Sequence, residues 1–88
     1  MRVVFHKYFN KSYKKCPIDI QNKFKKKLKI FLENPNNSNL KNHSLVGEWS
    51  NFRSINITGD YRALYHFLDL EKNLVEFFII DTHSNLYN

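Results

Sequence analysis

Phe52-Arg53-Ser54-Ile55-Asn56-Ile57, Tyr61-Arg62-Ala63-Leu64-Tyr65-His66-Phe67-Leu68 and Leu74-Val75-Glu76-Phe77-Phe78-Ile79-Ile80 follow one another through the second half of the chain. Aromatic and β-branched side chains dominate all three runs, the composition that fits a pleated, half-buried surface. Thr58-Gly59-Asp60 and Asp69 to Asn73 separate them with turn-forming residues, so the pattern predicts two successive hairpins and an antiparallel meander. The last run is apolar at nearly every position, which predicts a central strand covered on both faces.

Two registers are open at the first hairpin. A two-residue II′ turn at Gly59-Asp60 would set Ile57 opposite Arg62 and place Arg53 and Arg62 on one face of the sheet. A three-residue loop, Thr58-Gly59-Asp60, would pair Asn56 with Arg62 and send Arg53 to the other face.

Upstream, Val3-Val4-Phe5 reads as a short strand, followed by a short helical stretch carrying Tyr8, Phe9 and Tyr13. Pro17 suits a first helical turn. From there Ile20, Phe24, Leu28, Phe31 and Leu32 recur at helix spacing, on a stripe roughly 120° wide at ~100° per residue. Asn34-Pro35 and the polar residues Asn36 to Asn39 end this helix in a loop. The expected fold class is therefore α+β: two N-terminal helices packed on a small antiparallel sheet, with residues 1–88 forming a single domain.

Composition supports a folded chain. At 88 residues there is room for one core, and 42% hydrophobic residues with only 2 Gly and 2 Pro are the make-up of a globule rather than of a disordered tail. The net charge of +6 is unevenly distributed. Residues 1–44 carry eleven Lys and Arg against Asp19 and Glu33, whereas residues 45–88 carry three against six carboxylates. A cationic half concentrates polyanions such as nucleic acid or an acidic protein partner, although for Lys23, Lys25, Lys26 and Lys29 a solvated helix face would look the same. Cys16 is the single cysteine, which excludes an internal disulfide and a cysteine-cluster metal site and suits a reducing compartment. No stretch approaches the ~18 apolar residues of a membrane span, so a soluble, cytoplasmic protein is expected, with no membrane partner.

Reactive groups gather in three polar stretches that border the strands: Asn42-His43-Ser44-Leu45-Val46-Gly47, Thr58-Gly59-Asp60-Tyr61-Arg62, and Asp81-Thr82-His83-Ser84-Asn85-Leu86-Tyr87. Strand ends and loops on a rigid sheet are the usual places for a site. His6 and His66 lie outside these stretches and read as structural.

The order of these segments resembles the RelE/ParE superfamily of toxins from toxin–antitoxin systems, and most of all its YafQ-like branch. The resemblance rests on the Asn42-His43-x-Leu45-x-Gly47 loop, the Arg53-to-Tyr65 hairpin and the terminal Thr82-His83-Ser84-Asn85-Leu86-Tyr87, and covers nearly the whole chain. It implies an endoribonuclease that cleaves mRNA, usually in the ribosomal A site, without metal or cofactor, and that is silenced by a cognate acidic antitoxin. RNA cleavage of this kind needs a base for the ribose 2′-OH, a cation for the phosphorane and an acid for the 5′-oxygen.

By the same resemblance His83 corresponds to the branch's C-terminal catalytic histidine and His43 to a second one. Arg62 corresponds to the phosphate-stabilising arginine, Asp60 to a carboxylate position, and Tyr87 to a terminal aromatic that stacks on a base or positions the phosphate. Arg53, Lys41, Lys25, Lys26 and Lys29 are candidate RNA-binding cations. The chain departs from the branch at Asn56, where a histidine is usual, at Ile79 in place of an arginine, and at Asp81 in place of a glycine. The alternatives are a ParE-type toxin that inhibits DNA gyrase without cutting RNA, and a degenerate toxin that only binds its antitoxin.

Overall fold

Ile57 donates its amide to the carbonyl of Tyr61 at 2.9 Å, closing a three-residue loop of Thr58, Gly59 and Asp60. This selects the second of the two registers. In the computed structural model, which describes residues 1–87, Asn56 pairs with Arg62 and Arg53 with Tyr65 across strands β3 (Arg53–Asn56) and β4 (Tyr61–Asp69). Because side chains alternate along a strand, Arg53 and Arg62 lie on opposite faces.

The second hairpin joins β4 to β5 (Leu74–Thr82), which runs two residues beyond the apolar run that predicts it. Its register shifts between Leu64–Ile79 and Tyr65–Phe77, leaving Phe78 as the extra residue of a bulge. The bulge lets Phe77 and Ile80, three residues apart, both enter the core. It also leaves two consecutive residues, Phe78 and Ile79, on the other face.

β1 (Arg2–Phe5) lies parallel to β5, and β2 (His43–Ser44) pairs antiparallel with β3, giving the order β1-β5-β4-β3-β2. The sheet is thus mixed rather than wholly antiparallel. The cause is connectivity: α1 (Lys7–Lys15) and α2 (Ile18–Glu33) carry the chain back over one face, a crossover that a parallel neighbour requires.

Helix α1 is capped by His6, whose Nδ1 accepts the Tyr8 amide, and α2 follows Pro17 and stops at Asn34. The apolar stripe of α2 buries Ile20, Phe24 and Phe31; Leu28 is half-buried and Leu32, at the stripe's edge, is exposed. Phe77 sits at the centre of the core, with ring centroids of Phe24, Phe31 and Tyr65 at 5.5, 5.3 and 5.4 Å. Such tilted and edge-on pairs add to the stabilisation from area burial.

The helices cover only one face of β5. On the other face Phe78 and Ile79 are half-buried by side chains of the sheet itself, so the expectation of full cover on both sides is met by helices on one side alone. That open face carries the polar ends of β2, β3 and β4. A single helical turn, α3 (His83–Leu86), follows β5, and no helix of the described residues is long and apolar enough to cross a membrane.

Candidate active site

Register brings the site together. His43 pairs with Ser54, and Ser54 shares a strand face with Asn56, which pairs with Arg62. All therefore project from the face opposite the helices. His83 arrives from the end of β5: its amide donates to the carbonyl of Asp60 at 2.8 Å, tying α3 to the loop between β3 and β4. The resulting cleft of about 450 Å³ is lined by Lys41, His43, Leu45, Asn56, Arg62, His83 and Tyr87. Its formally charged lining residues, Lys41 and Arg62, are both cationic.

Each side chain is held by its own local geometry. His43 Nδ1 lies 2.8 Å from the carbonyl of Lys41, and a carbonyl can only accept. The neutral ring therefore carries its proton on Nδ1 and leaves the Nε2 lone pair free. Lys41 is itself bent into the left-handed region at φ 49°, the cap of the turn Ser38–Leu40, which aims its carbonyl at the imidazole.

The guanidinium of Arg62 is docked on its own hairpin loop. Nη1 lies 3.0 Å from the Thr58 carbonyl, 2.9 Å from that of Gly59 and 3.3 Å from that of Tyr61. Among the described residues nothing engages Nη2 or Nε, so this edge can meet an anion in two-pronged fashion.

His83 begins α3, and the turn is anchored three ways. Thr82 Oγ1 accepts the Asn85 amide at 3.3 Å, Asp81 Oδ1 accepts the Thr82 amide at 2.8 Å, and the same oxygen accepts Asn85 Nδ2 at 2.9 Å. The Tyr87 ring packs edge-on against the His83 imidazole at 4.7 Å. Trp49 Nε1 donates to the Leu86 carbonyl at 3.1 Å and holds the end of the turn to the sheet.

Not every residue read from the sequence joins the cluster. Asp60 is exposed on the hairpin loop and is absent from the cleft lining; it contributes a carbonyl to His83 rather than a carboxylate to the cavity. Arg53 is on the helix-bearing face, where Nε donates to Asn42 Oδ1 at 2.9 Å while Asn42 Nδ2 donates to the Tyr65 hydroxyl at 2.7 Å. Lys25, Lys26 and Lys29 are exposed on α2, across the sheet from the cleft, and only Lys41 of the four candidate lysines lines it. Asn56, a departure from the branch pattern, faces Arg62 inside the cleft. Ile79 pairs with the buried Leu64 behind it.

The anchors Asp81, Asn85 and Trp49 escape a reading by catalytic residue type. The Thr82-x-x-Asn85 spacing, a threonine cap before a helical turn, is the signal that could have found the turn; nothing local marks Trp49. Behind this turn Cys16 is buried, and burial together with the neighbouring Asp81 carboxylate pushes its thiol up from its ordinary value; its Sγ donates to the Ser12 carbonyl at 3.4 Å.

Helices on one face of a mixed five-stranded sheet make an α+β fold that matches that of YafQ- and RelE-like toxins. The individual likenesses are to YafQ of E. coli (TM-score 0.81, 22% identity, all of both chains covered) and to the toxin in the E. coli DinJ-YafQ complex (TM-score 0.79, 22% identity, again covering all of both chains). A YoeB/ParE toxin from Agrobacterium tumefaciens superposes at a TM-score of 0.76 with 17% identity, over 94% of this chain and 99% of that one. No protein-family model and no curated protein sequence matches the chain. At these identities the likeness is one of fold.

Proposed function

We propose that this chain is the toxin of a toxin–antitoxin pair and that it acts as a metal-independent endoribonuclease on mRNA in the ribosomal A site. The observation that carries the reading is the meeting of two imidazoles and a guanidinium edge in one cleft that no carboxylate lines among the described residues. RNA is the polymer whose own 2′-hydroxyl can serve as nucleophile.

In this reading His43 Nε2 takes the proton of the ribose 2′-OH, its tautomer fixed by the Lys41 carbonyl. The 2′-oxygen forms a bond to phosphorus, and the developing charge on the phosphoryl oxygens is met by Arg62 Nη2 and Nε, with the Lys41 ammonium nearby. His83, protonated, delivers a proton to the 5′-oxygen as the P–O5′ bond breaks. The products are a 2′,3′-cyclic phosphate and a 5′-hydroxyl. Tyr87 packs on His83 and restrains its ring.

The antitoxin is expected to be a small acidic protein. Its charge complements the eleven cations of residues 1–44, and complexes of the E. coli neighbour with DinJ give the precedent of a bound partner.

Mapping mRNA 5′ ends after incubation with translating ribosomes tests the reading. New ends with the wild-type protein, absent with His83→Ala and absent when the scissile nucleotide is 2′-deoxy, are expected. Identical end profiles for wild type and His83→Ala would sink it. Inhibition of gyrase supercoiling without RNA cleavage would favour the ParE-type alternative.

A further inference from the structure

The face of the sheet away from the helices carries a row of aromatic rings that the cleavage chemistry does not use. Trp49 and Phe52 meet at 5.3 Å between centroids, Phe52 and Phe78 at 5.3 Å, Phe78 and His6 at 4.7 Å, and His6 and Tyr8 at 4.8 Å. His66 joins from β4, 4.8 Å from Phe52. The row runs from the segment just before β3 across β4 and β5 and ends at the start of α1.

At its other end it runs into the cleft, because the indole of Trp49 is bonded to the Leu86 carbonyl and the next residue, Tyr87, packs on His83. The rings are half-buried against one another, and Tyr8, at the far end, is 49% exposed.

Composition separates this row from an ordinary second core. Aliphatic side chains would fill such a space; here two imidazoles, a phenol and an indole keep polar atoms at the rings' edges. Charge points the same way. The Lys7 ammonium lies 5.7 Å from the Tyr8 ring centre, and Lys41 and Arg62 stand at the cleft end. Two carboxylates reach the row: Glu76 is bonded to His66 Nε2 at 2.8 Å, and Glu48 lines a surface hollow with Trp49 and Tyr87 at the cleft end. A ring-lined track with cations at both ends suits stacked bases joined by phosphates.

We propose that this row is the binding track for the single-stranded RNA that flanks the cleaved phosphate, with bases stacking on Tyr8, Phe52 and Trp49. The inference rests on the ribonuclease reading for the identity of the polymer, but its test does not need cleavage. Trp49 is the single tryptophan, so its emission reports the row directly.

The experiment titrates the full chain with a 2′-O-methyl oligoribonucleotide of mixed sequence, which lacks the nucleophilic hydroxyl. Saturable quenching of Trp49 is expected, with Tyr8→Ala weakening affinity by about 5- to 150-fold, the range for losing one stacking ring, and Tyr8→Phe restoring it. Phe52→Leu should weaken binding likewise, and Tyr8→Ala keeps the test open if Phe52→Leu fails to fold.

Unchanged affinity in Tyr8→Ala, or a Trp49 emission indifferent to RNA, would overturn the proposal. So would a Tyr8→Ala variant that binds RNA normally and loses affinity only for an acidic protein partner, which would make the row a protein interface. Binding along the row without any cleavage by the wild type would instead sink the ribonuclease reading and leave the track standing.

Discussion

The amide of His83 is bonded to the carbonyl of Asp60 at 2.8 Å, so the residue carried by α3 is positioned by the backbone of the β3–β4 loop. The Asp60 side chain is exposed. Asp60→Ala and Asp60→Asn should therefore retain RNA cleavage within roughly tenfold of wild type, whereas His83→Ala should lose about 10²- to 10⁴-fold, the usual contribution of a general acid or base. Single-turnover cleavage rates check the contrast. An Asp60→Asn variant as impaired as His83→Ala would assign the carboxylate a direct role.

Arg62 should not be replaceable by lysine. Its Nη1 is anchored on the carbonyls of Thr58, Gly59 and Tyr61 while the rest of the guanidinium stays open, and a single ammonium cannot do both. Arg62→Lys should lower the cleavage rate by roughly 10- to 100-fold despite the retained charge. A rate within twofold of wild type would show that charge alone suffices.

Asp81 Oδ1 accepts both the Thr82 amide and the Asn85 side-chain amide. Asp81→Ala should release the turn that presents His83 and slow cleavage by roughly 10- to 100-fold through misplacement. Asp81→Asn keeps an acceptor oxygen and should recover most of the rate. Equal loss in both variants would mean that the negative charge matters rather than the anchor.

The aromatic core predicts a steep cost for its central ring. Phe77 is fully buried and touches Phe24, Phe31 and Tyr65. Phe77→Ala should destabilise the fold by about 3–5 kcal/mol, the range for removing a buried phenylalanine, as read from urea unfolding. Phe78→Ala, on the open face and half-buried, should cost less.

Stability should fall in alkali. Burial, then the Asp81 carboxylate, raises Cys16 above its ordinary 9.0, and burial also raises Tyr13 and Tyr61 above 10.0. The folded state then holds protons that the unfolded state releases, so this contribution is complete below about pH 9 and is lost as pH rises through the folded values. Urea midpoints measured from pH 7 to 11 should decline above pH 9, and Cys16→Ala should shallow the decline. The same burial predicts slow alkylation of Cys16 at neutral pH.

Much of this molecule is written in local patterns. The three aromatic and β-branched runs gave the meander, and the stripe of Ile20, Phe24 and Phe31 gave the long helix, because each pattern repeats with the period of its own backbone. The parallel placement of β1 was not legible, since pairing direction between distant strands depends on where the crossover helices pack. Nor was the bulge at Phe78, which a run of uniformly apolar residues conceals.

The site divides in the same way. The candidate site residues His43, Arg62 and His83 are visible in the chain, each in a polar stretch that borders a strand. Their company is not. One residue of register at Thr58-Gly59-Asp60 decides which face Arg53 shares, and it puts Arg53 with Asn42 and Tyr65 and Arg62 with the histidines.

The sequence by itself thus determined the long elements, though not the short β2 and α3, and which chemical groups are present, because propensity and periodicity act over a few neighbouring residues. Tertiary structure alone decided which groups meet. Strand pairing has a two-residue period, so a single hydrogen-bonded closure between Ile57 and Tyr61 assigns every side chain of the hairpin to the cleft or to the core.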